Sequence, residues 1–176
     1  MKKALFVLVL ITATTFLGCA ARGLESELIL NDDYFHVAHR EIQNADESIY
    51  LIAYLFIIYD YQGAYSNRLL KDIIEAKNRG VDVRVVLEYP KPDQINEEGP
   101  VNQKVYEELT SAGIDTRFDS AEKTTHSKVL VIDRETIIIG SHNYSFGGLK
   151  YNNETSLLIK DKTKAKKLIE YFEQID

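Results

Sequence analysis

The chain is poor in cysteine, in proline and in excess positive charge. Its single cysteine is Cys19, which excludes an intramolecular disulfide, so the fold has to be stabilised by packing and by association. All three prolines fall within residues 90–100, which predicts a loop over residues 89–99 and a helix that starts at Pro100. The sequence also lacks internal repeats and low-complexity tracts, and its length fits one domain.

Acidic residues outnumber basic ones, and the formal net charge is −6. Residues 1–18 contain Lys2 and Lys3 and no acidic residue, so the rest of the chain has a net charge of −8. Tight non-specific binding of nucleic acid depends mainly on Lys and Arg side chains that neutralise phosphates. The composition therefore argues against such a binder, but not against an enzyme that holds its substrate mainly at the active site.

The N-terminus resembles an export signal. Two lysines precede an apolar run over residues 4–17 that is short for a membrane span, and small residues follow it. The segment Phe16-Leu17-Gly18-Cys19 resembles a lipobox, so we expect residues 1–21 to be a signal peptide and Cys19 to carry lipid. The body, residues 22–176, would then be a membrane-anchored lipoprotein in the periplasm or on the outer cell surface. Ordinary cleavage after Ala20 or Ala21 and an uncleaved anchor are the alternatives.

A dense motif occupies residues 126–143. Its spacing is H-x-K-x4-D-x6-G-S-x-N, and six residue types at fixed offsets arise by chance at a given start with odds on the order of 1 in 10^7 to 10^8. The motif is therefore a strong functional signal. Its members are His126, Lys128, Asp133, Gly140, Ser141 and Asn143.

The chemistry of the motif follows from a predicted hairpin. Residues 129–132 and 137–139 are short β-branched runs around an Asp133-Arg134 turn, which predicts two paired strands. His126 and Lys128 precede the first strand with side chains on one face, and Gly140 lets the second strand turn close to them. An imidazole, an ammonium, a hydroxyl and a carboxamide then converge, a set that suits a phosphate diester.

With these residues the chain resembles the phospholipase D superfamily, and in particular its single-motif, bacterial nuclease-like branch. The resemblance implies a homodimer with the active site at the subunit interface, because the reaction uses two histidines and this motif occurs once. It implies that His126 attacks phosphorus to form a phosphohistidine, and that Lys128, Asn143 and Ser141 hold the substrate oxygens. Neither a metal ion nor another cofactor is implied.

Three further residues have less certain roles in this resemblance. Glu154 sits where the nuclease-like branch carries the acid that fixes the catalytic histidine, although it also fits a solvent-facing strand position. We include Asp133 among the catalytic candidates, with a structural or ion-pairing role as the alternative. His142 occupies the variable position of the motif and is expected at most to flank the site.

The remaining segments alternate between apolar runs and amphipathic stretches. Helices are predicted over residues 33–43, with Asp32 or Asp33 as the cap, 66–79, 100–112 and 162–174. Strands are predicted over residues 27–30, 48–58, 81–88, 115–118 and 153–160, and the run over residues 48–58 is apolar enough to be buried on both faces. This order predicts an α/β fold with a mixed β-sheet sandwiched by helices.

Tyr59, Tyr61 and Tyr65 border the loop after the second predicted strand. Their rings could stack on bases or contact lipid headgroups. We favour the alternative that they cover the core or the dimer interface.

Three functions are compatible with the motif. The first is a metal-independent nuclease that hydrolyses DNA or RNA. The second is a phospholipase that acts on the membrane to which the chain is anchored, since a tether raises the local concentration of lipid headgroups. The third is a phosphate-binding protein that keeps the fold without catalysis, although the presence of His126 and Lys128 argues against it.

Overall fold

The computed structural model describes residues 25–90, 95–96 and 99–176. Four α-helices lie within these ranges: α1 (Asp33–Gln43), α2 (Tyr65–Asn78), α3 (Gln103–Ser111) and α4 (Lys162–Glu173). A π-helical turn covers Gly147–Tyr151. The strands are β1 (Glu25–Leu30), β2 (Ser48–Ala53), β3 (Asp82–Leu87), β4 (Ile95–Asn96), β5 (Gly99–Pro100), β6 (Asp115–Phe118), β7 (Val129–Ile132), β8 (Thr136–Gly140) and β9 (Thr155–Lys160).

Seven strands form one mixed sheet in the order β1-β9-β8-β7-β2-β3-β6. The pairs from β1 to β2 are antiparallel, and β2, β3 and β6 are parallel to one another. Helices α1, α2 and α3 contribute to the core on one face of the sheet, and α4 packs on the other. The predicted α/β fold with a mixed sheet between helices is confirmed.

β2 lies between the two cores and contributes side chains to both. Ile49, Leu51 and Ala53 face the cluster that contains α1 and α2, while Tyr50 and Ile52 face the cluster that contains α4. All six residues of the strand are buried, as its continuous apolar run predicts.

Two predicted boundaries, the end of β2 and the start of α3, differ most from the structure, and Asn102 accounts for both. β2 ends at Ala53 instead of residue 58, because the side chain of Asn102 accepts from the Phe56 amide at 2.8 Å and donates to the Tyr54 carbonyl at 3.0 Å. These bonds replace the ladder that a longer strand would have made. Asn102 itself has a φ of 67°, a left-handed conformation that delays the start of α3 from the predicted Pro100 to Gln103.

The predicted hairpin of β7 and β8 is confirmed. Ile132 pairs with Thr136 across the turn, and Asp133 and Arg134 both have positive φ. At the other end, a Cβ on Gly140 would lie 2.5 Å from the Cα of Ser156, so β9 leaves no room for a larger residue. The close turn expected at Gly140 is therefore a packing requirement.

The expected signal peptide, including Cys19, lies outside the described residues. Within the described ranges, no helix is both long and apolar enough to cross a bilayer. The predicted cap of α1 is only partly confirmed, since Asp32 is the N-cap residue but its side chain makes no capping hydrogen bond.

Candidate active site

Tyr54 brings His126 and Lys128 together. The His126 ring meets the Tyr54 ring edge to face, with 4.3 Å between centroids. The Lys128 ammonium lies 4.7 Å from the centroid of the same ring and donates to the His126 carbonyl at 2.8 Å. Because Tyr54 follows β2 and Lys128 precedes β7, the antiparallel pairing of these two central strands places all three residues at the same end of the strands.

Two buried carboxylates fix the backbone just before His126. The Thr125 amide donates to Glu88 Oε2 at 2.5 Å and to Asp119 Oδ2 at 3.0 Å. The other oxygen of Asp119 accepts from the Tyr89 amide at 2.5 Å. Charged acceptors make strong hydrogen bonds to backbone amides in a buried setting, so this segment presents His126 in a fixed direction.

Ser141 and Glu154 form the second half of the site. The Ser141 hydroxyl donates to Glu154 Oε2, and the Thr155 amide donates to Ser141 Oγ at 3.1 Å. Asn152 donates to the other Glu154 oxygen at 3.0 Å. Among the described residues Glu154 makes no hydrogen bond to His126 of the same chain. Its expected role in fixing the catalytic histidine stays a prediction.

Asn31 anchors this half of the site to the core. It has a φ of 51°. Its side-chain oxygen accepts from the Glu154 amide at 3.1 Å, and its own amide donates to the Glu154 carbonyl at 3.0 Å. Its carbonyl accepts from His142 Nε2 at 2.8 Å, while His142 Nδ1 meets the Ser156 hydroxyl at 2.7 Å. His142 is therefore a buried histidine behind the site, stacked on Tyr34 with 4.4 Å between ring centroids.

Asn143 lies between the core and the π-helical turn. A Cβ on Gly148 would approach the Asn143 carbonyl oxygen to 2.5 Å, so the turn packs directly on the Asn143 backbone. Its Oδ1 atom is buried and has no hydrogen-bond partner in the described part of the chain. Because buried polar atoms are normally hydrogen-bonded, this unpaired oxygen is consistent with the role in substrate binding expected for Asn143.

Asp133 is not part of this group. It lies at the opposite end of β7, where its carboxylate accepts from the amides of Asp46, Glu47 and Ser48 at 2.7 to 3.2 Å. These contacts close the start of β2 onto the hairpin. The position fits the structural alternative for Asp133 and separates it from the other candidates.

The electrostatics of the site favour a neutral imidazole beside an ammonium. Partial burial lowers the pKa of His126, and the charge of Lys128 lowers it further. Burial also lowers the pKa of Lys128, against the opposing influence of Glu154 and Glu88. A neutral His126 ring carries the free nitrogen lone pair that a nucleophile requires.

The sequence did not identify Tyr54, Glu88, Asp119 or Asn31. Each lies at or just beyond the end of a sheet strand, where the polar or aromatic residue follows an apolar run. That pattern is the available signal, but it is common to many strand ends and does not say which ends meet.

Comparison with known proteins agrees with this geometry. Residues 38–175 match the family model described as "Cardiolipin synthase, PLD-like domain". A phospholipase D of Rickettsia prowazekii is 33% identical over 131 residues, which is 74% of this chain and 57% of that protein. The chain thus spans a little over half the length of this relative.

Two solved structures share the fold. A phospholipase D family member, Nuc from Salmonella typhimurium, has a TM-score of 0.70 at 22% identity and covers 86% of this chain and 94% of its own. NucT from Helicobacter pylori has a TM-score of 0.63 at 18% identity, with coverage of 86% and 95%. Both match over nearly their whole length, so the described chain corresponds to one complete copy of that fold.

Proposed function

Because the chain belongs to the phospholipase D superfamily, we propose that it is a metal-independent nuclease that hydrolyses DNA or RNA through a phosphohistidine intermediate. The observation that carries this proposal is the placement of the His126 imidazole and the Lys128 ammonium on one tyrosine ring. This arrangement supplies a nucleophile and a fixed positive charge for the phosphate.

The proposed reaction has two steps. In the first, a ring nitrogen of neutral His126 attacks phosphorus, and the bond to the leaving oxygen breaks as that oxygen takes a proton from the protonated ring of His126 of the partner subunit. In the second, water gives a proton back to that histidine and attacks phosphorus, which breaks the phosphorus–nitrogen bond and releases a phosphate monoester. Lys128 and Asn143 hold the non-bridging oxygens, and Ser141 supports them.

The second histidine implies a homodimer, and one sheet face suits that contact. Leu28, Leu157 and Ile139 are paired across β1, β9 and β8, so their side chains point to the same face as α4. Leu28, Leu30 and Ile139 are exposed. Since Leu30 pairs with Thr155 beside Ser141, this apolar face adjoins the site, and we propose that a second copy of the chain covers it.

A charge on this face is expected to separate the dimer. Leu28→Asp should shift the chain towards monomer and reduce cleavage by at least about tenfold, because a carboxylate would be buried without a partner. Tyr171→Asp, an exposed site on α4, is the matched control. Equilibrium sedimentation and a cleavage assay check the result, and a fully active monomer would rule out the shared site.

We propose that Cys19 anchors the chain to a membrane outside the cytoplasm. Glu25, the first described residue, pairs with Lys160 at the end of β1 away from the site. β1 rises about 3.4 Å per residue, so Leu30, next to the site, lies roughly 17 Å from Glu25 along the strand.

The second candidate is hydrolysis of phospholipids. It is favoured by the similarity to sequence relatives such as the Rickettsia prowazekii protein, which is a phospholipase D. The same histidine chemistry would act on a lipid phosphodiester, so the site alone does not separate these substrates.

Plasmid nicking in excess EDTA tests whether the chain hydrolyses nucleic acid or phospholipid. We expect the purified chain to convert supercoiled plasmid to the nicked form at the same rate with and without the chelator, because Lys128 and the two imidazoles supply the charges and proton transfers. Vesicles of phosphatidylcholine and cardiolipin form the second arm. Release of headgroup or phosphatidic acid without nicking would replace the nuclease proposal with the phospholipase one.

A further inference from the structure

A group of exposed aromatic rings lies beside the site and is not used by the proposed reaction. Tyr61, Phe146 and Tyr151 are 66%, 37% and 65% exposed. We call these three rings, with Lys150, the aromatic ledge. Exposed aromatic clusters on a soluble domain usually mark an interaction surface.

The aromatic ledge is attached to the active site through the backbone. Phe146 follows Asn143 by three residues, so their Cα atoms are at most about 11 Å apart. The π-helical turn that carries Lys150 and Tyr151 packs its Gly148 on the Asn143 backbone. A strand whose phosphate occupies the site would therefore pass close to these rings.

The ledge is held in place before any ligand arrives. The Tyr59 hydroxyl accepts from the Phe146 amide at 3.0 Å. Asn67 accepts from the Tyr59 amide at 3.0 Å and donates to the Tyr59 and Tyr61 carbonyls. Because these hydrogen bonds hold the segment with Tyr61 and the segment with Phe146 in place, the rings lose little conformational entropy on binding.

Neighbouring groups support these rings and leave ring faces open to solvent. A Cβ on Gly63 would lie 2.5 Å from Cζ of Tyr61, so the Tyr61 ring rests over this glycine and leaves its other side to solvent. Phe146 contacts Tyr59 and Tyr151 with ring centroids 5.9 and 5.0 Å apart and with the ring planes tilted by 58° and 55°. Open ring faces of this kind suit stacking on planar groups.

The charge of the ledge is small. Lys150 contributes one ammonium, 5.9 Å from the Tyr151 ring centroid, and Asp60 is exposed beside Tyr61. A body with a surplus of acidic residues cannot rely on neutralising many phosphates. Stacking supplies affinity that does not depend on such charges.

We propose that the aromatic ledge stacks unpaired bases of a nucleic-acid strand whose phosphodiester lies at His126. This inference rests on the proposed nuclease function and names its substrate as single-stranded or locally unpaired nucleic acid. Of the tyrosines expected to cover the core or the dimer interface, Tyr65 packs on Phe35 with 4.0 Å between ring centroids, whereas Tyr61 is exposed on the described chain.

The test compares a variant that lacks two of the rings with a variant that keeps them. The full chain with Tyr61→Ala and Tyr151→Ala is compared with the Tyr61→Phe and Tyr151→Phe pair, and with Tyr171→Ala as an exposed tyrosine on α4. The substrates are a single-stranded oligonucleotide, a duplex of the same sequence and bis(p-nitrophenyl) phosphate. We expect the alanine pair to lower kcat/KM for the single strand at least about fivefold relative to the small diester. The phenylalanine pair and Tyr171→Ala should keep the wild-type ratio, and the duplex should be less affected.

An unchanged ratio in the alanine pair would overturn the ledge proposal. So would loss of binding to phosphatidylcholine–cardiolipin vesicles with unchanged oligonucleotide cleavage, which would make the ledge a membrane surface. Fluorescence anisotropy with a labelled single strand separates this proposal from the nuclease function. If the wild-type chain cleaves nothing, weaker binding by the alanine pair alone still supports stacking, and equal binding by all variants refutes it.

Discussion

His126→Ala is expected to reduce phosphodiester cleavage by about 10^4-fold or more, because removal of a nucleophile eliminates the covalent route. The side chain is exposed at the surface of one subunit, so the free energy of unfolding should change little. His36→Ala, an exposed histidine on α1, is the control that should keep full activity. Initial rates with a fluorogenic diester and a thermal melt of both variants provide the measurement.

Mixed dimers extend this prediction to the shared site. When wild-type and His126→Ala chains are unfolded and refolded together at equal amounts, random pairing gives wild-type homodimers in about one quarter of the population. If each site needs both histidines, activity per total chain should fall to about one quarter of the wild-type value. A fall to only one half would mean that each subunit works alone, and the two-histidine mechanism would have to be abandoned.

Asn102→Ala is expected to lower the free energy of unfolding by about 3–5 kcal/mol. Its side chain accepts from the Phe56 amide and donates to the Tyr54 and Glu88 carbonyls at 2.8 to 3.0 Å, and its loss leaves three polar groups without these partners in a buried setting. Alanine also tolerates the left-handed backbone less well than asparagine. Urea unfolding followed by circular dichroism measures the change.

A graded series makes this prediction specific. Asn102→Asp keeps the acceptor for Phe56 and loses both donors, so its loss of stability should include the cost of an unpaired buried charge and stay comparable to that of alanine. Asn78→Ala, at the exposed end of α2, should change the free energy of unfolding by less than about 0.5 kcal/mol. Wild-type stability in Asn102→Ala would show that these three bonds are not needed for the fold.

Much of the fold was predictable because local patterns are independent of distant partners. The apolar run of β2, the turn at Asp133 and Arg134, and the periodicity of α2 each follow from neighbouring residues. The ends of β2 and α3 were not predictable in this way. Both depend on one asparagine that bonds to residues 14 to 48 positions away, and no local pattern reports such a contact.

The same division applies to the site. The sequence by itself determined the family, through the spacing of His126, Lys128, Ser141 and Asn143. It also predicts phosphodiester chemistry, because so specific a set of side chains on one hairpin suits few reactions. The tertiary structure decided the rest: it set Tyr54 against the histidine and lysine, placed Asp133 at the opposite end of β7, and paired Glu154 with Ser141. Those outcomes depend on strand order and register, which are fixed by burying two cores at once, and that is a property of the whole chain.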